Sequence, residues 1–182
     1  QRQMCIRDSL MRYGFEGLRQ GHWKAKDLET NIQKRFDVQH AQLVSSGTAA
    51  VSMALAASGI GTGDEVIIPS FTFVASFEAI LMMGAIPVVV DIDNTLTLDI
   101  ESVKSAITSK TKAIMPVHMC GSMANLDDLK AICLQYKLIL IEDACQAIGG
   151  TYKGQALGAV GDLGCFSFDF VKTVTCGEGG VV

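Results

Sequence analysis

The sequence has no excess of positive charge. Its 15 lysines and arginines are scattered among 19 acidic residues for a formal net charge of −4, so it offers no basic stripe of the kind that grips nucleic acid. An acidic small molecule would have to meet a local basic group instead. Long apolar runs are missing too, each candidate being broken by glycine, proline or charge well short of the roughly 20 residues of a membrane span. The expectation is a soluble chain without a membrane or nucleic-acid partner. Cys5, Cys120, Cys133, Cys145, Cys165 and Cys176 form no CxxC pair. They lie in apolar or catalytic-looking segments, which suits reduced, buried thiols of a cytoplasmic protein better than a disulfide frame. Cys145 and Cys176 are read in that sense as small buried hydrophobes. His22, His40 and His118 lie far apart without metal-type spacing, so no metal site is expected. No internal repeat, low-complexity tract or linker interrupts the chain.

What is present is the composition of one sizeable core: 182 residues, 49% hydrophobic and 19% charged, which excludes a disordered chain. Residues 1–9 do not share the pattern that follows. Met4 to Ser9 can be encoded by the transposon end used in preparing sequencing libraries, so this segment is expected to be a scar with the natural start missing. At the other end Gly180-Val181-Val182 reads as the start of a strand, which suggests truncation. Between these ends helical and extended patterns alternate. Helical spacing is expected from Trp23 to Phe36, Ala49 to Ser58, Phe73 to Met83, Ile100 to Ile107 and Leu126 to Tyr136. Apolar strands are expected over Val38 to Val44, Glu65 to Ile68, Ile86 to Val90, Lys112 to Val117 and Leu138 to Ile141. Short continuous apolar strands separated by helices indicate an α/β domain with a mainly parallel sheet covered by helices on both faces.

In such a sheet ligands bind beyond the carboxyl ends of the strands. Ser45-Ser46-Gly47-Thr48-Ala49 follows one strand and opens a helix, where free N–H groups and the helix dipole favour a phosphate, although Ser46 or Thr48 also fits an ordinary N-cap. Glu142 and Asp143 end a wholly apolar strand, so at least one carboxylate is expected to face the crevice unless both serve as turn residues. Phe71 and Phe73 suit either core or a ligand platform. Lys172 is the unusual member. It follows Phe166, Phe168, Phe170 and Val171 and precedes a run of small residues and glycines up to Gly180. A lysine partly desolvated by such neighbours is a nucleophile for a carbonyl, and the glycines let a ligand approach the backbone. A phosphate site, an acid, an aromatic plate and a nucleophilic lysine are together the parts needed to hold pyridoxal phosphate.

These segments resemble the DegT/DnrJ/EryC1/StrS family of sugar aminotransferases, pyridoxal-phosphate enzymes of the aspartate-aminotransferase fold (fold type I). The resemblance runs from about Met11 to Val182. It rests on Ser46-Gly47-Thr48-Ala49-Ala50, Pro69-Ser70-Phe71-Thr72-Phe73-Val74-Ala75, Pro116-Val117-His118, Glu142-Asp143-Ala144-Cys145-Gln146-Ala147 and the stretch from Phe166 to Gly180. It implies that backbone amides of Gly47, Thr48 and Ala49 bind the cofactor phosphate with help from the Ser167 hydroxyl, and that Phe73 stacks on the pyridine ring. Asp143 would pair with the ring nitrogen, Gln146 would hydrogen-bond the ring hydroxyl, and Lys172 would carry the covalent link to the cofactor.

The resemblance further implies glutamate as amino donor, a keto- or aldehydo-sugar as acceptor, a homodimer, and a cytoplasmic role in amino sugar and cell-surface polysaccharide (lipopolysaccharide) biosynthesis. Residues 10–182 would be the N-terminal part of the cofactor-binding large domain, with the remaining sheet and a small C-terminal domain absent. Many members have His-Pro ahead of the lysine and Asn after it, where this chain has Asp169-Phe170 and Thr173. Phe168 to Thr173, with His118-Met119-Cys120-Gly121, is most similar to members that aminate C8 of a 3-deoxy-octulosonate sugar. A pyridoxamine-dependent sugar dehydratase is the rival enzyme, but in this family it lacks the lysine. A nicotinamide oxidoreductase is disfavoured because Gly59-Ile60-Gly61-Thr62-Gly63 follows a helix and precedes a strand, the wrong order for a dinucleotide turn. A non-catalytic scaffold or regulator of the same fold is the remaining alternative.

Overall fold

The computed structural model describes residues 23–182. The segment expected to be a scar therefore lies outside the described residues, as do Cys5 and His22. The chain divides into two compact units, residues 1–42 and 43–182. In the first, helix α1 (Lys24–Phe36) carries Lys34 and Arg35 in its last turn, where their charge suits the carbonyl end of the helix dipole, and stops at Asp37 in the left-handed conformation.

The second unit holds a seven-stranded sheet. Its elements in chain order are β1 (Leu43–Val44), α2 (Gly47–Ala57), β2 (Glu65–Pro69), α3 (Val74–Met82), β3 (Ile86–Val90), α4 (Ile100–Ala106) and β4 (Thr111–Ile114). A 3₁₀ turn (Met119–Gly121), α5 (Leu126–Tyr136) and β5 (Ile139–Asp143) follow, then the hairpin of β6 (Thr151–Tyr152) and β7 (Gln155–Ala156), β8 (Leu163–Ser167) and β9 (Gly180–Val181). The strand order is β1-β9-β8-β5-β4-β2-β3. From β8 to β3 every neighbouring pair is parallel, whereas β9 runs antiparallel to both β8 and β1. β1, β8, β5, β4, β2 and β3 thus point their carboxyl ends to one edge, and β9 enters the sheet from that edge.

Burial explains why the strands read as continuous apolar runs. Val66, Ile67 and Ile68 are consecutive and all inaccessible to solvent, which requires cover on both faces of the sheet. Ala50, Val51, Ala54 and Leu55 of α2 and Ala79 and Ile80 of α3 form one core with Val66, Ile68, Ala113, Met115, Ile141 and Cys165. Ile67, Ile114 and Leu140 alternate with these along their strands and are buried as well. α4 and α5 pack on each other, α4 against β3 and α5 against β4 and β5.

Two strands are shorter than the sequence pattern suggests. Val38 to Val44 pairs only through Leu43 and Val44, with Val181 and Gly180 of β9. Lys112 to Val117 stops at Ile114, since Pro116 has no N–H to give and Val117 forms only an isolated bridge to Asp143. Other expected boundaries move by one or two residues, with Thr111 joining β4 and Asp143 ending β5.

Candidate active site

The carboxyl edge is where the polar residues collect. Ser46 caps α2 with its Oγ, which accepts the Ala49 N–H at 3.1 Å, and its carbonyl accepts the Ala50 N–H at 3.0 Å. The N–H groups of Gly47 and Thr48 have no intrahelical acceptor, as the first residues of any helix must. Of the three amides expected to bind phosphate, Gly47 and Thr48 are free and Ala49 is engaged by the cap. Gly47 lies tight against β8: a Cβ there would stand 2.7 Å from Ser167 Cβ and 3.0 Å from both Ser167 Oγ and Cys145 Sγ. The helix start, Ser167 and Cys145 are therefore in contact, and no other residue type fits at position 47 without displacing one of them.

Asp143 ends β5 at 5% exposure. Its Oδ2 accepts the Ser76 hydroxyl at 2.7 Å and its Oδ1 the Cys145 N–H at 3.1 Å. Its backbone is fixed as well, with N–H to Pro116 O at 2.9 Å and O from His118 N–H at 3.0 Å. The adjacent Glu142 has a different fate, because successive strand residues face opposite sides of the sheet. It is wholly buried and accepts N–H groups of Gly158 (2.9 Å), Val160 (2.7 Å) and Gly161 (2.6 Å). Its Oε2 also lies 3.0 Å from Nε2 of the equally buried His118. Burial alone would raise the Glu142 carboxyl, but the bonds from His118, Gly161 and Gly158 outweigh it and hold the group below its ordinary value. An ionised carboxylate only accepts, so His118 Nε2 carries the proton and its Nδ1 has no hydrogen-bond partner. Only one of the two carboxylates thus belongs to the Ser76 and Cys145 cluster.

The segment 168–179 joins β8 to β9 at the same edge. Phe168 anchors it: its N–H donates to Gly179 O (2.8 Å), and its carbonyl accepts the Cys176 N–H (3.0 Å) and the Thr175 hydroxyl (3.2 Å). Lys172 N–H returns to Asp169 O at 3.0 Å. The Lys172 ammonium stands 5.6 Å from the centroid of the Phe73 ring, within cation–π range. Phe73 is 54% exposed. It is an available plate and not core, as is the partly exposed Phe71. Gln146 Oε1 accepts the Cys120 N–H at 3.1 Å, which leaves its amide N–H groups as donors.

Cys145 and Cys176 both depart from the expectation of buried hydrophobes. Cys176 and Cys120 are exposed, Cys145 is half-buried in the site, and Cys133 and Cys165 are buried. Burial pushes the Cys145 thiol well up, reinforced by Asp143 and opposed by Lys172. It stays a neutral thiol in the field of both charged groups. Ser76 was missed in the sequence, although a lone serine sharing the buried stripe of Ala79 and Ile80 marks a polar group that needs a partner. Among the described residues no cluster of metal-ligating side chains exists and no helix is long and apolar enough to cross a membrane.

The parts fit pyridoxal phosphate: two free amides at a helix start beside a hydroxyl for the phosphate, a buried carboxylate with fixed orientation, an exposed ring, and an amine beside that ring. The fold is that of the fold-type-I, pyridoxal-phosphate-dependent enzymes, with these candidate residues gathered at its carboxyl edge. The chain belongs to the DegT/DnrJ/EryC1/StrS aminotransferase family, whose profile matches residues 16–182. It is 45% identical to the GDP-perosamine synthase of Caulobacter vibrioides over 80% of its own length and 39% of that protein's. With the GDP-perosamine synthase of Vibrio cholerae the identity is 44%, covering 85% of this chain and 42% of the relative. The aminotransferase from Psychrobacter cryohalolentis superposes with a TM-score of 0.84 at 39% identity, covering 86% of this chain and 40% of that one. The chain spans about two fifths of the length of the curated relatives it matches.

Proposed function

We propose that the protein carrying this chain is a pyridoxal-phosphate-dependent aminotransferase that moves an amino group from glutamate to a keto sugar. The observation that carries this reading is the approach of Lys172 Nζ to the Phe73 ring at 5.6 Å, at the strand edge where Asp143 also ends β5. When bound, the cofactor supplies an aldehyde that takes up the amino group and a ring that withdraws electrons from the reacting carbon. Gly47 and Thr48 N–H and the Ser167 hydroxyl would hold its phosphate. Asp143 would pair with the ring nitrogen, Phe73 would pack on the ring, and Gln146 would donate to the ring hydroxyl. Lys172 would be the point of covalent attachment, and its Nζ would take a proton from one carbon and return it to another, general acid–base work worth roughly 10²–10⁴-fold.

Similarity to two GDP-perosamine synthases favours a nucleotide-linked keto sugar as acceptor over an 8-oxo-3-deoxy-octulosonate. A cytoplasmic role in cell-surface polysaccharide synthesis and a homodimer that completes the sugar pocket accompany this reading. The test is borohydride reduction of the complete reading frame with added pyridoxal phosphate, followed by peptide mapping. We expect a pyridoxyl group on Lys172, and neither adduct nor turnover in Lys172→Ala. A folded protein without the adduct would overturn the aminotransferase and leave the dehydratase or a non-catalytic scaffold.

A further inference from the structure

Three hydroxyls on or at the end of helices among the described residues satisfy themselves locally. Thr30 donates to Lys26 O (2.9 Å), Ser58 to Ala54 O (2.7 Å) and Ser105 to Glu101 O (2.8 Å), each one turn back along its own helix. Ser76 does not. At 1% exposure in the first turn of α3, its hydroxyl crosses to Asp143 Oδ2 at 2.7 Å, a partner distant in sequence. Its oxygen in turn accepts the Thr72 hydroxyl at 3.0 Å, so the bonds run in one direction from Thr72 through Ser76 to the carboxylate. The same turn holds the ring that faces Lys172: Ser76 N–H donates to Phe73 O at 3.1 Å.

We infer that Ser76, supported by Thr72, is a positioning residue that locks the Asp143 carboxylate to the segment carrying the Phe73 plate. This rests on the cofactor reading proposed above. Desolvated, a carboxylate needs donors in any case, but the backbone N–H of Cys145 already supplies one at 3.1 Å, to Oδ1. Ser76 adds orientation. With each oxygen tied to a different element, α3 through Ser76 and the turn after β5 through Cys145, the carboxyl plane cannot rotate without breaking a charge-assisted bond. Thr72 extends the restraint to the residue next to Phe73. Acid and plate, which contact different parts of one flat ring, are thereby set relative to each other before any ligand arrives.

The experiment compares the complete reading frame as wild type, Ser76→Ala, Ser76→Thr and Thr72→Val. The readouts are pyridoxal-phosphate affinity of the apo protein by fluorescence, the pH titration of the bound cofactor's visible band, and kcat and KM separately. Ser76→Ala is expected to stay folded by circular dichroism and to keep the borohydride adduct on Lys172. It should bind the cofactor about tenfold more weakly, the effect of one lost bond to a charged group, with a displaced midpoint of the visible titration and a lower kcat at little-changed KM for glutamate. Ser76→Thr keeps the donor and should restore most of each readout, while Thr72→Val should move them in the same direction by less. A folded Ser76→Ala with wild-type affinity and midpoint overturns the inference, as does a folded Ser76→Thr no better than Ser76→Ala. If Ser76→Ala fails to fold, Thr72→Val decides, and an unmoved midpoint there overturns it. An unmutated protein without the Lys172 adduct sinks the cofactor reading itself, an outcome distinct from an indifferent Ser76.

Discussion

At the scale of single residues, Glu142 and Asp143 show how adjacent carboxylates acquire different tasks. Asp143 takes one bond on each side-chain oxygen, from Ser76 and Cys145, whereas Glu142 accepts three backbone N–H groups from residues 158–161 and faces His118. Its role is to fold the loop after β7 onto the sheet. Removing it would leave those donors buried and unpaired, so Glu142→Ala should destabilise the protein by about 3–5 kcal/mol at neutral pH in urea unfolding. The pH dependence has a definite sign. Because the folded protein holds this carboxyl below its usual value near 4.5, its contribution is complete above that value and fades as pH falls through the lower folded one. Wild-type stability should therefore drop on acidification in a window where Glu142→Ala changes much less. Parallel acid limbs in the two proteins would show that this carboxylate is not the group responsible.

At the scale of elements, the start of α2 is a packing joint and, on the function proposed above, a ligand site. A methyl group at position 47 would meet Ser167 Cβ at 2.7 Å, and that atom is fixed by the β8 backbone, so the helix itself must move. Gly47→Ala is expected to cost about 1–3 kcal/mol in thermal or urea unfolding and to weaken pyridoxal-phosphate binding by shifting the two free amides. Gly61→Ala, where a Cβ meets nothing within 4 Å, should stay within about 0.5 kcal/mol of wild type. Equal losses in both would remove the steric explanation.

The elements also mark what could be read from the sequence. Strands β2, β3 and β5 are apolar runs covered on both faces or at a sheet edge, and the helices between them follow from spacing and caps, so their order was legible. The antiparallel entry of β9 was not, because two residues carry no directional signal. The candidate site residues stood out only as types, a lysine after phenylalanines or an acid after an apolar strand. Their mutual contacts did not, since the Ser76 to Asp143 bond depends on how the first turn of α3 meets the end of β5, which no local pattern encodes.

At the scale of the whole molecule, the thiols report how the fold opens. Cys120 and Cys176 are exposed and should react first with a thiol reagent under native conditions. Cys133, buried in α5, has its thiol pushed up to about 12 by desolvation, and Cys165 in β8 is likewise well above the ordinary value. Both are short of thiolate and of access, so their labelling requires the protein to open. Pyridoxal phosphate binds the folded state, and at a hundredfold excess over its dissociation constant it should stabilise that state by about 2.7 kcal/mol, slowing labelling through global opening roughly a hundredfold. The two cysteines then separate two kinds of opening. Cys165 lies beneath α2 in the same core as Ala50 and Ile141, while Cys133 belongs to the α5 layer. If unfolding of residues 43–182 is all-or-none, the cofactor must slow both equally, although neither is among the residues proposed to hold it. If α2 detaches by itself, Cys165 alone will gain protection. The continuous burial of Val66, Ile67 and Ile68 ties the two layers to one sheet, so we expect equal slowing, measured by mass spectrometry of time-resolved labelling, and a gain confined to Cys165 would show that the sheet does not transmit stability between its faces.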